Sequence, residues 1–214
     1  MAYDEDEQVQ RIQQWWSENW KALVGGLVIG VGGILGWNAW QSHSEQQAQA
    51  ASTLFAEVLS AADADNREAA IAARDTLISD YSGTPYAVAA SLQVAALHAR
   101  QGELTPAGEM LDWARENADD AAMARLAAIR LARVRWAQVD AEAALTLLDD
   151  GGGHFRAVAE ELRGDILLEQ GERVAAHRAY SEALTAAPQE SRELLQQKLD
   201  DLADVGDSAE AADA

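Results

Sequence analysis

The sequence predicts an all-α fold: a single N-terminal transmembrane helix followed by a helical-repeat solenoid. Three observations carry this expectation. A charge-free apolar run lies near the start, the rest is rich in alanine with only three prolines, and short turn motifs recur downstream at about the length of a helix pair. No alternating strand pattern competes with them.

The first element is the apolar run in "KALVGGLVIGVGGILGWNAW", Lys21 to Trp40. No residue from Ala22 to Ser42 is charged, and the 19 residues from Ala22 to Trp40 would rise about 28 Å as a helix. That length suits a hydrocarbon core of roughly 30 Å. Five of the seven tryptophans bracket the run, Trp15, Trp16 and Trp20 before it and Trp37 and Trp40 at its end, where aromatic rings meet the two water interfaces. Val9, Ile12, Trp16 and Trp20 share helical spacing and suit either an interfacial helix or a plain aromatic anchor. A cleavable signal fits poorly, because "MAYDEDEQ" is acidic where a signal starts short and basic, and the small-residue site at Ala48 to Ala50 lies far beyond Trp40. Arg11 and Lys21 precede the span and the next basic residue is Arg67. The expected order is therefore a cytoplasmic tail 1–21, a span 22–42 and an exported body 43–203, which in a Gram-negative cell is periplasmic.

Within the span, Gly26, Gly30 and Gly33 form one small-residue stripe and Gly25, Gly32 and Gly36 another. Both contain a GxxxG pair, which lets a second helix approach closely, whether another copy or a different protein.

After the span, a helical pair is expected over 44–62 and 67–81, separated by the polar "DADN". Thr84-Pro85 and Thr105-Pro106 read as helix starts, an N-cap with a first-turn proline. "QGE" at Gln101, "QVD" at Gln138 and "QGE" at Gln170, at intervals of 37 and 32 residues, mark turns inside helix pairs. The clearest unit is "AVAEELRGDILLEQGERVAAHRAYSEALTAAP", Ala157 to Pro188. Its Gly164, Leu167, Gly171, Ala176, Tyr180, Ala183 and Pro188 stand at the signature spacings of the tetratricopeptide repeat, which this unit resembles. It departs from the pattern at Glu160 and Arg163, where a large aromatic and a leucine are usual. Weaker copies place Ala95, Gly102, Ala107, Leu111 and Ala114, then Leu131, Ala132, Ala144 and Leu148, at matching positions. "SRELLQQKLDDLAD" puts Leu195, Leu199 and Leu202 on one face, a capping helix for the solenoid end. The acidic stretch 204–214 is too polar and small to fold.

The composition excludes several functions. With 36 acidic against 16 basic residues and a formal charge of −20, the chain lacks the basic stripe that nucleic acid requires. The acidity reads as a solvated surface. No cysteine is present, so neither disulfides nor thiol chemistry enter. His43, His98, His154 and His177 have no metal-pair spacing. "DDGGGHF" at Asp149 to Phe155 follows a helix and lacks the lysine and hydroxyl of a phosphate loop, so it reads as a connection. No catalytic constellation or cofactor site emerges, and the chain reads as a non-enzyme. What remains is a groove along the first helices of successive repeats, presenting Leu92, Ala96 and Arg100, then Leu126, Ile129, Arg133 and Trp136, then Glu161, Asp165 and Leu168. A client segment would dock there, although Ile129 and Trp136 suit an inter-repeat core equally well.

The tail "DEDEQVQRIQQWWSENWK", the glycine-rich span and the repeat body together resemble the YfgM family, the ancillary subunit of the SecYEG translocon. The resemblance implies a single-pass inner-membrane protein associated with the Sec translocon and with a membrane-anchored periplasmic chaperone of the prolyl-isomerase type, assisting exported clients. It also implies negative control of an envelope-stress phosphorelay, so sequestration of a signalling component stands as an alternative, as does a cell-envelope assembly scaffold. No catalytic residues come with it.

Overall fold

The computed structural model describes residues 3–149 and 153–202, and every element within them is helical. The side chains of Val9 and Ile12, residues 150–152 of the glycine-rich connection and the tail 204–214 lie outside the described residues. The chain forms two compact units, Met1–Gln49 and Ala50–Ala214.

The first unit holds the N-terminal part of helix α1 (Tyr3–Asp63). Among the described residues no single helix is long and apolar enough to cross a membrane by itself. The pair Gln13–Lys21 and Val24–Asp63, bent by 46°, meets that requirement together. Apolar side chains stand exposed along the run, Ile29 at 77% and Leu27 at 66%. Beyond the adjoining residues and the helix's own nearby backbone, no atom lies within 4 Å of where a Cβ would sit on any of its six glycines.

The second unit is a succession of antiparallel helix pairs. The end of α1 leads into α2 (Arg67–Tyr81), followed by α3 (Pro85–Arg100), α4 (Leu104–Asn117), α5 (Ala121–Ala137), α6 (Ala141–Leu148), α7 (Arg156–Glu169), α8 (Arg173–Ala186) and, after a single 3₁₀ turn, α9 (Arg192–Asp200). The same backbone knot closes each pair. At Gly102 the N–H donates to Ala99 and the N–H of Glu103 to His98; at Gly171 the N–H donates to Leu168 and that of Glu172 to Leu167. Both glycines are left-handed, at φ 77° and 81°, as a Schellman stop demands. Val139 (φ 65°) makes the same bonds to Trp136 and, through Asp140, to Arg135. Asp65 (φ 54°) does so to Ala62 and, through Asn66, to Ala61. The "DADN" stretch is thus a fourth turn of the same design, closing a helix pair ahead of the three found by motif.

The helix starts differ in one place from expectation. Thr84 is the N-cap of α3, with Pro85 at the first helical position. α4, however, starts at Leu104 behind Glu103, which places Thr105 and Pro106 within its first turn. The left-handed Gly102 has already turned the chain, and a proline there is tolerated because the first-turn N–H groups have no intrahelical partner.

Alanine explains how closely these helices pack. Helix α3 buries two faces at once: Ala87, Ala90, Val94 and Leu97 pack with Val58 of α1 and Leu77 of α2, while Val88, Leu92 and Ala95 pack with Leu111 of α4 and Leu131 of α5. Helix α5 repeats the arrangement, with Ile129 and Ala132 turned toward Leu148 of α6 and Leu162 and Ile166 of α7. The last core joins Ala176, Tyr180 and Ala183 of α8 to Leu195, Leu199 and Leu202. Small residues on both faces allow one helix to serve two neighbours, and the burial of leucine, isoleucine and valine between them supplies most of the stabilisation.

Candidate partner-binding cleft

The first helices of the two central pairs, α3 and α5, enclose a cleft of about 420 Å³ with α4 at its floor. Leu92, Ala95, Ala96 and Ala99 line it from α3, Val134 and Ala137 from α5, and Leu104 and Leu111 from α4. The alanines create the space, because a larger residue at 96 or 99 would fill it. Its remaining lining is three arginines, Arg100, Arg130 and Arg133. Arg130 and Arg133 lie one helical turn apart on α5 and so share a face. Arg130 is half-buried, with Nη1 3.5 Å from the Leu92 carbonyl. Burial first, and then the charge of Arg133, hold its guanidinium below the usual arginine value.

The ten anticipated groove residues separate into distinct settings. Leu92, Ala96, Arg100 and Arg133 come together in this cleft. Leu126 packs against the α3–α5 core, Ile129 is buried in the α5–α7 core, and Trp136 is half-buried against that same core. Glu161 and Asp165 are held by Lys198 of α9, whose Nζ donates to Glu161 Oε1 at 2.8 Å and to Asp165 Oδ1 at 2.6 Å. Leu168 is exposed at 37%.

A family model described as a tetratricopeptide repeat-like domain matches residues 13–204. The ancillary SecYEG translocon subunit of Escherichia coli (strain K12) is 30% identical over 202 residues, covering 93% of this chain and 97% of that protein. The protein of the same name from Haemophilus influenzae is 29% identical over 205 residues, 94% of this chain and all of its own length. That from Neisseria gonorrhoeae is 30% identical over 203 residues, 93% and 97% respectively. The chain belongs to the ancillary SecYEG translocon subunit family.

In this tetratricopeptide repeat-like chain the clearest repeat shows the signature packing at atomic contact. A Cβ on Gly164 would fall within 3.0 Å of Tyr180 Cζ and nearer still to the ring edge. The ring of Tyr180 is fully buried, and its hydroxyl donates to Asp165 at 2.8 Å. Burial first, and then the bond to Asp165, push the phenol well above its ordinary pKa. Glu160, standing where the pattern has an aromatic, is 5% exposed and paired with Arg163 at 3.2 Å. Burial raises its pKa against the pull of Arg163. Buried Arg125 donates to the carbonyls of Leu147 and Leu148, satisfying the end of the short helix α6.

The sequence-based groove lacked Ala95, Ala99, Leu104 and Leu111 and, on α5, Arg130, Val134 and Ala137. A signal for the α5 residues existed, since Arg130, Arg133, Val134 and Ala137 recur at helical spacing on one face of α5. Among the described residues no cluster of three or more histidine or acidic groups could hold a metal ion.

Proposed function

We propose that this chain is a non-enzymatic, single-pass inner-membrane scaffold or chaperone that works beside the Sec translocon. Its cytoplasmic tail is 1–21, its span 22–42, its periplasmic repeat domain 43–203 and its acidic tail 204–214. The observation that carries this reading is the near full-length match to proteins named ancillary SecYEG translocon subunit. The exposed apolar side chains of the first unit support it. A helix apolar on every side, with Leu27, Val28, Ile29, Ile34 and Leu35 each more than 60% exposed, is in water an uncompensated cost and in lipid a stable state. Trp15, Trp16 and Trp20, exposed just ahead of the run, suit a preceding segment that lies at the interface.

Tethering the repeat domain next to the exit site raises its effective concentration near emerging chains, so the cleft can act with modest intrinsic affinity. The chaperone partner of the prolyl-isomerase type implied by the resemblance would share these clients. Photo-crosslinkers placed at Gly30 and at Ala96 in native membranes are expected to yield adducts with translocon or chaperone subunits. If neither position gives such an adduct, the reading fails. A reporter fused after Ala214 should be active only when exported, and cytoplasmic activity would overturn the orientation.

A further inference from the structure

Resting on the protein-binding reading above, we propose that the α3–α5 cleft selects polypeptide segments in which apolar side chains alternate with carboxylates. The lining is apolar apart from Arg100, Arg130 and Arg133, and no carboxylate lies among the described residues that form it. In a chain with 36 acidic and 16 basic residues, an all-basic cleft runs against the composition of the whole surface. Several basic side chains elsewhere are ion-paired within the chain: Arg67 with Glu103, Arg74 with Asp75, Arg115 with Asp112, Arg156 with Glu182 and Lys198 with Asp165.

Arg100 and Arg133 make no ion pair among the described residues. Glu103, beside Leu104 at the cleft floor, is already engaged by Arg67 and by His98 Nδ1 at 2.6 Å. Arg100 lies in the last turn of α3, where a cation also offsets the helix dipole. Arg133 is in the middle of α5 and has no such role. The half-buried guanidinium of Arg130, disfavoured by desolvation and by Arg133, gains most from an incoming anion. Guanidinium forks match carboxylates bidentately, and the space between the alanine-lined walls, above Leu104 and Leu111, receives the apolar side chain.

The test uses the full chain reconstituted in phosphatidylcholine nanodiscs and end-blocked, fluorescein-labelled peptides read by anisotropy. One peptide alternates leucine with aspartate, a second replaces aspartate by lysine, and a third replaces leucine by serine. The leucine–aspartate peptide should bind roughly tenfold more tightly than either control and weaken as salt rises. Arg133→Gln, at an exposed position, should remove most of that preference without changing helix content. Ala96→Glu, which fills the cleft and puts a carboxylate on its wall, should weaken binding of the leucine–aspartate peptide more than that of the lysine peptide. Equal or tighter binding of the lysine peptide by the unaltered chain, or an unchanged preference in Arg133→Gln, overturns the proposal. Displacement of the peptide by oleate at lower concentration than by unlabelled peptide would assign the cleft to a lipid anion and overturn it as well. Loss of charge selectivity with translocon adducts intact at Ala96 would sink this inference alone. Selectivity without such adducts at either Gly30 or Ala96 would sink only the functional reading.

Discussion

The pairing of Gly164 with Tyr180 is fixed by volume. Matching positions in the two earlier pairs hold Ala95 with Leu111 and Ala132 with Leu148, so the larger partner in the last pair requires the smaller residue opposite. Gly164→Ala should cost about 1–3 kcal/mol by overpacking, read as a lower melting temperature in far-UV circular dichroism. Tyr180→Leu in the same chain should make the alanine tolerable, and a double-mutant cycle with no coupling would refute the volume argument. Val139 carries the opposite problem. It occupies the left-handed position that Gly102 and Gly171 fill in their turns, and it is 92% exposed, so nothing it packs against repays the strain. A β-branched residue there costs roughly 1–2 kcal/mol, against a glycine entropy cost of about 0.5–1 kcal/mol. Val139→Gly is therefore expected to raise the melting temperature by a few degrees, and a decrease would show that Val139 has a contact beyond this chain. Glu160 adds a dependence on pH. Its folded-state pKa is raised by burial, so the folded chain holds the proton more tightly than the unfolded one. Its contribution to stability must then fall as pH rises from the ordinary glutamate value through the folded one. Glu160→Gln should flatten that acidic limb of the stability–pH profile, and an unaltered limb would assign the slope elsewhere.

Helix α9 closes the repeat array by two means at once. Leu195, Leu199 and Leu202 cover the apolar face of α8, and Lys198 ties α9 back to α7 through Glu161 and Asp165 while its ammonium lies 5.3 Å from the centre of the Tyr180 ring. The two carboxylates raise the Lys198 pKa despite the opposing effect of burial. This stabilisation is fully present below the unfolded lysine value and is lost as pH rises through the folded one. Lys198→Met should cost about 1–2 kcal/mol, because two half-buried carboxylates are left facing one another, and should abolish the alkaline loss. A melting curve and alkaline limb unchanged by the substitution would mean the lock is inert. Helix periodicity and turn residues made most elements readable in the sequence, since each rests on neighbours within a few positions. The cross-ties did not show: Lys198 reaches residues 33 and 37 positions away, and Arg125 reaches carbonyls 22 and 23 positions away. No local pattern encodes such a partner. For the same reason Glu161 and Asp165 read as groove side chains although α9 engages both. The break at "DADN" was legible from its polarity, but not its kinship with the later turns, because Asp65 stands where Gly102 and Gly171 do.

The division of the chain at Gln49 and Ala50 separates two kinds of surface. Ahead of it, large apolar side chains and tryptophans are exposed along a helix with no packed partner among the described residues; beyond it, apolar residues are gathered into four cores. Four cores between short helix pairs account for how the second unit stays folded in water, each repeat burying the face its neighbour leaves open. The first unit has no such means. Eighteen or more largely apolar residues brought into lipid gain far more than any surface contact of the acidic body could supply. Two chains should therefore part company under alkaline carbonate extraction, which strips proteins held only by charge. The full chain is expected to stay with the membrane pellet, and a chain beginning at Ala50 to appear in the supernatant with its helical signal and its sensitivity to Gly164→Ala retained. Release of the full chain would refute the anchor, and sedimentation of the shorter one would place a second membrane-binding surface on the repeat domain. An unfolded shorter chain would show instead that the repeats need the N-terminal part of α1 to hold their first core together.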